Sequence, residues 1–251
     1  MAPRGRNIIT VASGKGGVGK TWFAVTLANA FAELGRRALL FDGDLGLANV
    51  DIQLGLVPKR DLGGVIAGRF GLADAVTRYD EGGFDILPGR SGSGALAGLD
   101  GNRLAEVRES LFALAEGYDH VIADMGAGVD PATRLLTGSG GIVLVVTTDE
   151  PTALTDAYAF IKLTWAKHPT VDVRIVVNLA ESKKAGERTH ETLANACNKF
   201  LGRRPPLAGT IRHDTKVKDA IRHQTALLHR HPGCPAGTDV GTIAKAILSG
   251  P

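Results

Sequence analysis

Residues Ser13 to Thr21 read SGKGGVGKT, and this stretch decides the fold. It meets the pattern G-x-x-x-x-G-K-[ST], with Gly14, Gly19, Lys20 and Thr21 in the fixed places. An apolar strand, NIITVA, runs in. A helical pattern, KTWFAVTLANAFAEL, runs out and stops at Gly35. Gly14, Gly16, Gly17 and Gly19, with Val18 between them, free successive backbone N–H groups to turn toward one anion. The positive end of the following helix dipole adds to the same site. In such a loop Lys20 is expected to reach the β- and γ-phosphates of a nucleoside triphosphate, and the Thr21 hydroxyl to ligate Mg²⁺.

A phosphate loop needs one lysine, and this one has two. Lys15 stands near the start of the loop, on the wrong side to duplicate Lys20. Either it is a solvated surface lysine or it serves a second copy of the chain. Phosphoryl transfer is mostly positioning and charge neutralisation, so a cation supplied in trans raises its rate. Two such loops face to face across a two-fold axis would exchange their first lysines. The γ-phosphate would then hold the dimer together, and hydrolysis would loosen it.

The rest of the chain supplies a matching frame. Its 251 residues suffice for one large α/β domain, and 44% are hydrophobic. Candidate strands are Asn7–Ala12, Ala38–Phe41, Phe84–Leu87, His120–Ala123, Ile142–Thr147, Val173–Val177 and Leu207–Ile211. Candidate helices are Lys20–Leu34, Arg103–Glu116, Thr152–Ala166, Glu187–Leu201, Lys216–His223 and Thr238–Leu248. Strands that are apolar throughout are buried on both faces, which predicts a mostly parallel sheet. Strand–helix alternation to the end predicts a doubly wound α/β fold in a single domain over residues 1–251. The Gly- and Ser-rich stretch Pro88–Gly101 reads as a loop, free or partner-binding. No stretch approaches the roughly 18–20 apolar residues of a membrane helix. The net charge of +3 is too small to argue for nucleic acid by itself.

Two acidic elements accompany the loop. In FDGDLGLANVDIQLGL, Phe41 to Leu56, Asp42 and Asp44 stand two positions apart just after the expected second strand. One is expected to approach Mg²⁺ through water and the other to face an attacking water, with Gly43 and Gly46 allowing a movable switch segment. In YDHVIADMGAGVD, Asp124 closes an apolar strand, the place of a carboxylate that holds Mg²⁺ through water. The following GAG would sense the γ-phosphate through backbone N–H groups. Asn178 ends VRIVVN, where a side-chain amide both donates to and accepts from a base edge. GTIRHD, Gly209 to Asp214 and including Arg212, is placed to form the other wall. Chemistry alone leaves adenine and guanine both open at this point.

KGGVGKT resembles the deviant Walker A signature of the MinD/ParA ATPases. The resemblance covers nearly the whole chain and implies ATP and Mg²⁺ as ligands, with Lys15 acting across an ATP-sandwich homodimer. It also implies Asp44 as the residue that orients the lytic water, Asp42 on the metal side, and Asn49 as a switch contact. DGDLGLANVDIQLGL, DMGAGVD and especially TTDEPTALTDAYAFIKL are similar to the FlhG/FleN flagellar-number ATPases. That branch implies a cytoplasmic protein, recruited to the cell pole or inner membrane surface. The implied partners are a flagellar GTPase, a transcriptional activator or basal-body switch proteins.

The chain departs from that pattern in places. Met1–Arg6 is too short for the N-terminal helix by which such proteins stimulate the flagellar GTPase. The chain ends three residues after Leu248, so ATP-dependent membrane docking through a tail is not expected. Trp22 replaces the small or polar residue usual after Thr21, and is expected to pack beside the nucleotide or at the dimer face. The locally basic segment Arg212–His231 keeps a ParA-type reading open, in which the protein positions cargo over nucleoid DNA. His229, His231 and Cys234 read as loop residues rather than a metal site. Tyr158, Phe160, Ile161 and Leu163 read as core rather than a partner patch. Cys197 and Cys234 are the only cysteines, and neither lies in a switch segment or a C-x-x-C pair, which excludes the electron-transfer relatives.

Overall fold

A computed structural model describes residues 5–44, 49–89, 101–128, 133, 137 and 141–250. The switch residues 45–48, residues 129 and 130, and residues 90–100 of the expected Pro88–Gly101 loop lie outside the described residues.

Eight strands form one sheet in the order β3-β4-β2-β5-β1-β6-β7-β8. They are β1 (Ile8–Ser13), β2 (Ala38–Gly43), β3 (Thr77–Tyr79), β4 (Phe84–Leu87), β5 (His120–Ala127), β6 (Ile142–Thr147), β7 (Asp172–Ala180) and β8 (Leu207–Arg212). All pairings are parallel except β3 with β4 at one edge. Among the described residues the α-helices are α1 (Lys20–Glu33), α2 (Val50–Leu54), α3 (Leu62–Ile66), α4 (Gly101–Ala115), α5 (Pro151–Lys167), α6 (Lys183–Leu201), α7 (Thr215–Arg222), α8 (Leu227–Arg230) and α9 (Pro235–Leu248).

Alternation along β1 shows how the two faces are built. Ile9 and Val11 enter one core with Phe23 and Phe31 of α1 and Val240 and Ile243 of α9. Ile8 points the other way, into a second core with Leu111 and Phe112 of α4. Farther along the same face, Val143, Val145 and Ile175 pack under Phe160 and Ile161 of α5 and Leu193 of α6. Helices therefore cover both faces of a sheet whose central strands are wholly buried. Burying each of Phe23 and Phe31 contributes on the order of 1.5–3 kcal/mol.

Several expected boundaries move, each for a local reason. β5 continues to Ala127, so Asp124 sits inside a strand and not at its end. The ladder persists because β5 lies between β2 and β1, pairing Asp42 with Asp124 and Ser13 with Ala127. β2 likewise continues through Asp42 to Gly43. α6 begins four positions early because the Ser182 side chain accepts from the Ala185 N–H. Gly186 does not break it. A Cβ there would lie 2.1 Å from Thr210 Cγ2, so the glycine serves close approach of the helix to β8. α9 starts at Pro235, with Cys234 Sγ accepting from Gly237 N–H. The edge strand β3 has three residues, one of them Arg78, and gives no apolar run to read. Phe160 and Ile161 are core, while Leu163 is exposed.

Candidate functional site

The phosphate loop links β1 to α1. Gly19 caps α1 with φ 90° and ψ 29°, a left-handed conformation that costs a side-chain-bearing residue energy. Gly14 is required for another reason. A Cβ there would stand 2.1 Å from the backbone carbonyl oxygen of Asp156, because α5 lies directly against the loop. At Gly16 a Cβ would meet nothing within 4 Å.

The two lysines have different partners. Lys20 is buried and its Nζ donates to Ser13 Oγ at 2.9 Å. Ser13 Oγ in turn donates to the carbonyl oxygen of Lys15 at 2.7 Å. Burial holds the Lys20 ammonium below its usual pKa, against the opposing pull of Asp124 and Asp44. Lys15 is turned toward α5 of its own chain. Its Nζ lies 2.6 Å from Glu150 Oε2 and 2.8 Å from Thr152 Oγ1. Ser13, Glu150 and Thr152 went unmarked in the sequence as phosphate-loop partners. Glu150 and Thr152 are separated from Lys15 by most of the chain's strands, and no local pattern ties them to it.

Beneath the loop, Asp42 and Asp124 stand opposite each other on paired strands, both buried. Burial first, then repulsion from Asp124, pushes the Asp42 carboxyl up to about 8, partly offset by N–H donors of Val50 and Asp44. The Val50 N–H reaches Asp42 Oδ2 at 3.1 Å and so fixes the start of α2. Burial also lifts Asp124 to about 7, opposed by a hydrogen bond from the Thr21 hydroxyl and by the Lys20 charge. Asp44 acts electrostatically on Lys20, Asp42 and Asp124, which places it in the same cluster. Oδ1 of Asp42 and Oδ1 of Asp124 are buried without a hydrogen-bond partner. Two orphaned carboxylate oxygens beside a threonine hydroxyl fit a hard divalent cation such as Mg²⁺, which takes one or two carboxylates and completes its shell with water and phosphate. No group of three or more His, Cys, Asp or Glu among the described residues forms an all-protein metal cage.

The base-side residues divide. Asn178 Nδ2 donates to the carbonyl oxygen of Val18 at 2.8 Å, which ties β7 to the phosphate loop. Arg212 is committed elsewhere: its guanidinium pairs with buried Asp239 of α9, at 2.8 Å from Nε to Oδ2 and 3.0 Å from Nη2 to Oδ1. Asn49, the expected switch contact, precedes α2 and accepts from Gln53 N–H through its carbonyl oxygen. The basic C-terminal segment is also partly neutralised within the chain. Asp219 takes Arg230 Nε at 2.6 Å and His231 Nε2 at 2.7 Å. Those two partners, Arg230 first, hold its carboxyl down to about 2. Among the described residues no helix is long and apolar enough to cross a membrane.

Comparison with known proteins agrees with this fold. The CobQ/CobB/MinD/ParA nucleotide-binding domain family matches residues 9–227. The antiactivator FleN of Pseudomonas aeruginosa is 37% identical over 244 residues, covering 97% of this chain and 87% of that protein. The flagellum site-determining protein YlxH of Helicobacter pylori is 28% identical over 96% of this chain and 81% of its own length. Among solved structures, MinD of Pyrococcus horikoshii complexed with Mg-ADP superposes with a TM-score of 0.81 at 26% identity, covering 97% of each chain. The chain belongs to the CobQ/CobB/MinD/ParA nucleotide-binding family, and its eight-stranded, mostly parallel sheet has the fold of a MinD/ParA-type ATPase.

Proposed function

We propose that the whole chain, residues 1–251, acts as one Mg·ATP-dependent dimerisation switch that hydrolyses ATP to ADP and phosphate and regulates flagellar number or placement. The observation that carries this reading is the two-lysine phosphate loop, set in a chain 37% identical to FleN over 97% of its length. Lys20 and the N–H groups of residues 14–21 bind the β- and γ-phosphates. Thr21, Asp42 and Asp124 would hold Mg²⁺, which supplies charge neutralisation to the transferring phosphoryl group. Asp44 accepts a hydrogen bond from the attacking water and aims it at the γ-phosphorus. Lys15 leaves Glu150 and Thr152 and donates to the nucleotide of the partner chain, so that the dimer depends on the γ-phosphate.

The protein partners follow from the likeness to FleN and YlxH: a flagellar GTPase, a transcriptional activator or a basal-body switch protein. The ATP-bound state is read at the cell pole or inner membrane surface, and the protein is otherwise cytoplasmic. The alternative, a ParA-type positioning ATPase on nucleoid DNA, is less well supported. Arg212, Arg230 and His231 of the basic segment are spent on Asp239 and Asp219 rather than left for phosphates.

Light scattering with ADP and with a non-cleavable ATP analogue tests the switch. Wild-type protein is expected to double in mass only with the ATP analogue and Mg²⁺, and Lys15→Ala is expected to bind nucleotide yet stay monomeric. A Lys15→Ala protein that dimerises normally would overturn the trans role. Deletion of the gene in its own host, followed by flagellar counts, tests the cellular part, and unchanged flagellation refutes it.

A further inference from the structure

Gln224 has a left-handed backbone, with φ 52°. Among the described residues Leu179 is the only other non-glycine residue with a positive φ. A side chain makes this conformation unfavourable, and glycine is its usual occupant just past a helix end. Gln224 stands there, two residues after Arg222 closes α7. Strain of this kind persists only where the surroundings fix it, and it is a pointer to function. The surroundings do fix it. Gln224 N–H donates to the Ile221 carbonyl at 3.1 Å, Thr225 N–H to the Ala220 carbonyl at 3.2 Å, and Ala226 N–H to the Tyr79 hydroxyl at 3.2 Å.

The side chain that a glycine would lack reaches α2, 172 residues away in sequence. Gln224 Nε2 donates to the carbonyl oxygen of Ile52 at 2.9 Å. Gly55, which caps α2 with φ 64°, lets the two segments meet, since a Cβ there would lie 3.2 Å from Gln224 Cβ. α2 has five residues, far fewer than the ~12–15 that an isolated helix needs, and its last carbonyls have no partners within the helix. Val50 and Leu54 seat it on the core, while Ile52 is exposed. At its other end Val50 N–H donates to Asp42 Oδ2 at 3.1 Å. That bond occupies one carboxylate oxygen and leaves Oδ1, buried and unpaired, for a cation. α2 is thus strung between the metal-side carboxylate and Gln224.

We infer that Gln224 is a positioning residue for the Mg·nucleotide site. By holding the C-terminal end of α2 it keeps the Val50 N–H on Asp42, and so fixes which carboxylate oxygen faces Mg²⁺. The left-handed backbone is retained because glycine, which would relieve it, has no donor to reach Ile52. This inference rests on the proposed role of Asp42 at the metal and adds what orients it.

The test compares Gln224→Gly, which removes the side chain and the strain together, with Gln224→Lys, which keeps a donor of similar reach. Hydrogen exchange of the nucleotide-free protein reads α2 directly. Calorimetric titration with ADP, without magnesium and over a magnesium series, reads the site. Gln224→Gly is expected to keep a urea midpoint close to wild type, because strain relief offsets the lost hydrogen bond. Its amides 50–54 should nevertheless exchange about fivefold faster, the worth of one hydrogen bond. The magnesium needed for half-maximal tightening of ADP should rise by about the same factor, with magnesium-free ADP affinity within about twofold of wild type. Gln224→Lys should restore both. Unchanged exchange over 50–54 would overturn the link to α2. Faster exchange with an unchanged magnesium requirement would overturn the positioning of Asp42, and so would a large fall in the urea midpoint, which would make Gln224 a stability residue only. Failure of Gln224→Lys to restore either readout would overturn the role of the donor. Wild-type ADP affinity that ignores magnesium would remove the proposed metal site itself, and this inference with it.

Discussion

Freeing Lys15 from its own chain should strengthen the nucleotide-dependent dimer. The lysine is held by Glu150 at 2.6 Å, and the two side chains are 36% and 62% exposed. An ion pair that open to solvent contributes about 0.5–1 kcal/mol. Under the proposed trans role each chain must give up this contact before its lysine can cross, so a dimer would lose two of them, about 1–2 kcal/mol in all. Glu150→Gln keeps the shape and the hydrogen-bonding capacity but removes the charge. It is expected to tighten dimerisation with the non-cleavable ATP analogue by about 5–30-fold. Monomer affinity for ADP, which does not use Lys15, should stay within about twofold. Sedimentation equilibrium across a concentration series measures the first quantity and calorimetry the second. The gain should shrink at 0.5 M salt, where the Debye length falls to about 4 Å and the wild-type pair is already weakened. An unchanged or weaker dimer, with ADP affinity retained, would refute the view that Glu150 competes with the partner's nucleotide for Lys15.

Two further outcomes follow from the buried carboxylates and the glycines. Asp42 and Asp124 have folded-state values of about 8 and about 7, above an unfolded value near 4, so the folded chain binds protons more tightly. Their stabilising contribution is complete below pH ~4 and is lost as pH rises through 7 to 8. In nucleotide- and magnesium-free buffer Tm should therefore fall between pH 5 and 8.5, and Asp42→Asn should flatten the fall; a wild-type Tm that rises over this range would contradict the buried pair. Gly14→Ala drives a Cβ to 2.1 Å from the Asp156 carbonyl oxygen and should cost about 1–3 kcal/mol, whereas Gly16→Ala, with nothing within 4 Å, should unfold at a midpoint close to wild type. Urea melts of the two variants decide this, and equal stability would mean that α5 does not press on the loop.

Much of this was legible in the residues, for definite reasons. The phosphate loop reads directly because four glycines and a Lys-Thr pair are local and sequential, and the strands read directly because burial on both faces leaves them apolar throughout. Asp42 and Asp124 were marked by their place after such strands. Their facing register, which makes them a pair, comes from β2 and β5 lying side by side and no local pattern carries it. β3 stayed invisible because an edge strand of three residues needs no hydrophobic run. α6 starts four residues before the expected Glu187, and Gly186 inside that first turn is a contact point with β8 that no sequence pattern reveals. Arg212 was read toward the base from its strand-end position, but its guanidinium lies on Asp239, 27 residues later. Long-range polar partners of this kind follow from how helices stack on the sheet, which periodicity does not reveal.

The arrangement around Gly14 joins the loop's sterics to its chemistry. α5 can lie on the loop only because residue 14 has no side chain to meet the Asp156 carbonyl. The same close approach brings the N-terminal end of α5, with Glu150 and Thr152, within reach of Lys15. A lysine left in water would lose full hydration and much rotamer freedom on docking to a partner's phosphate. A lysine already held by a carboxylate and a hydroxyl exchanges one anionic partner for another, so the cost of crossing is reduced to the difference between the two. A solvent-exposed carboxylate holds the lysine weakly and a multiply charged phosphate chain would hold it strongly, so under the proposed trans role the γ-phosphate would control the exchange. In that proposal the first lysine of SGKGGVGKT waits on Glu150 and Thr152 for the partner's nucleotide, and Gly14 makes the waiting position possible.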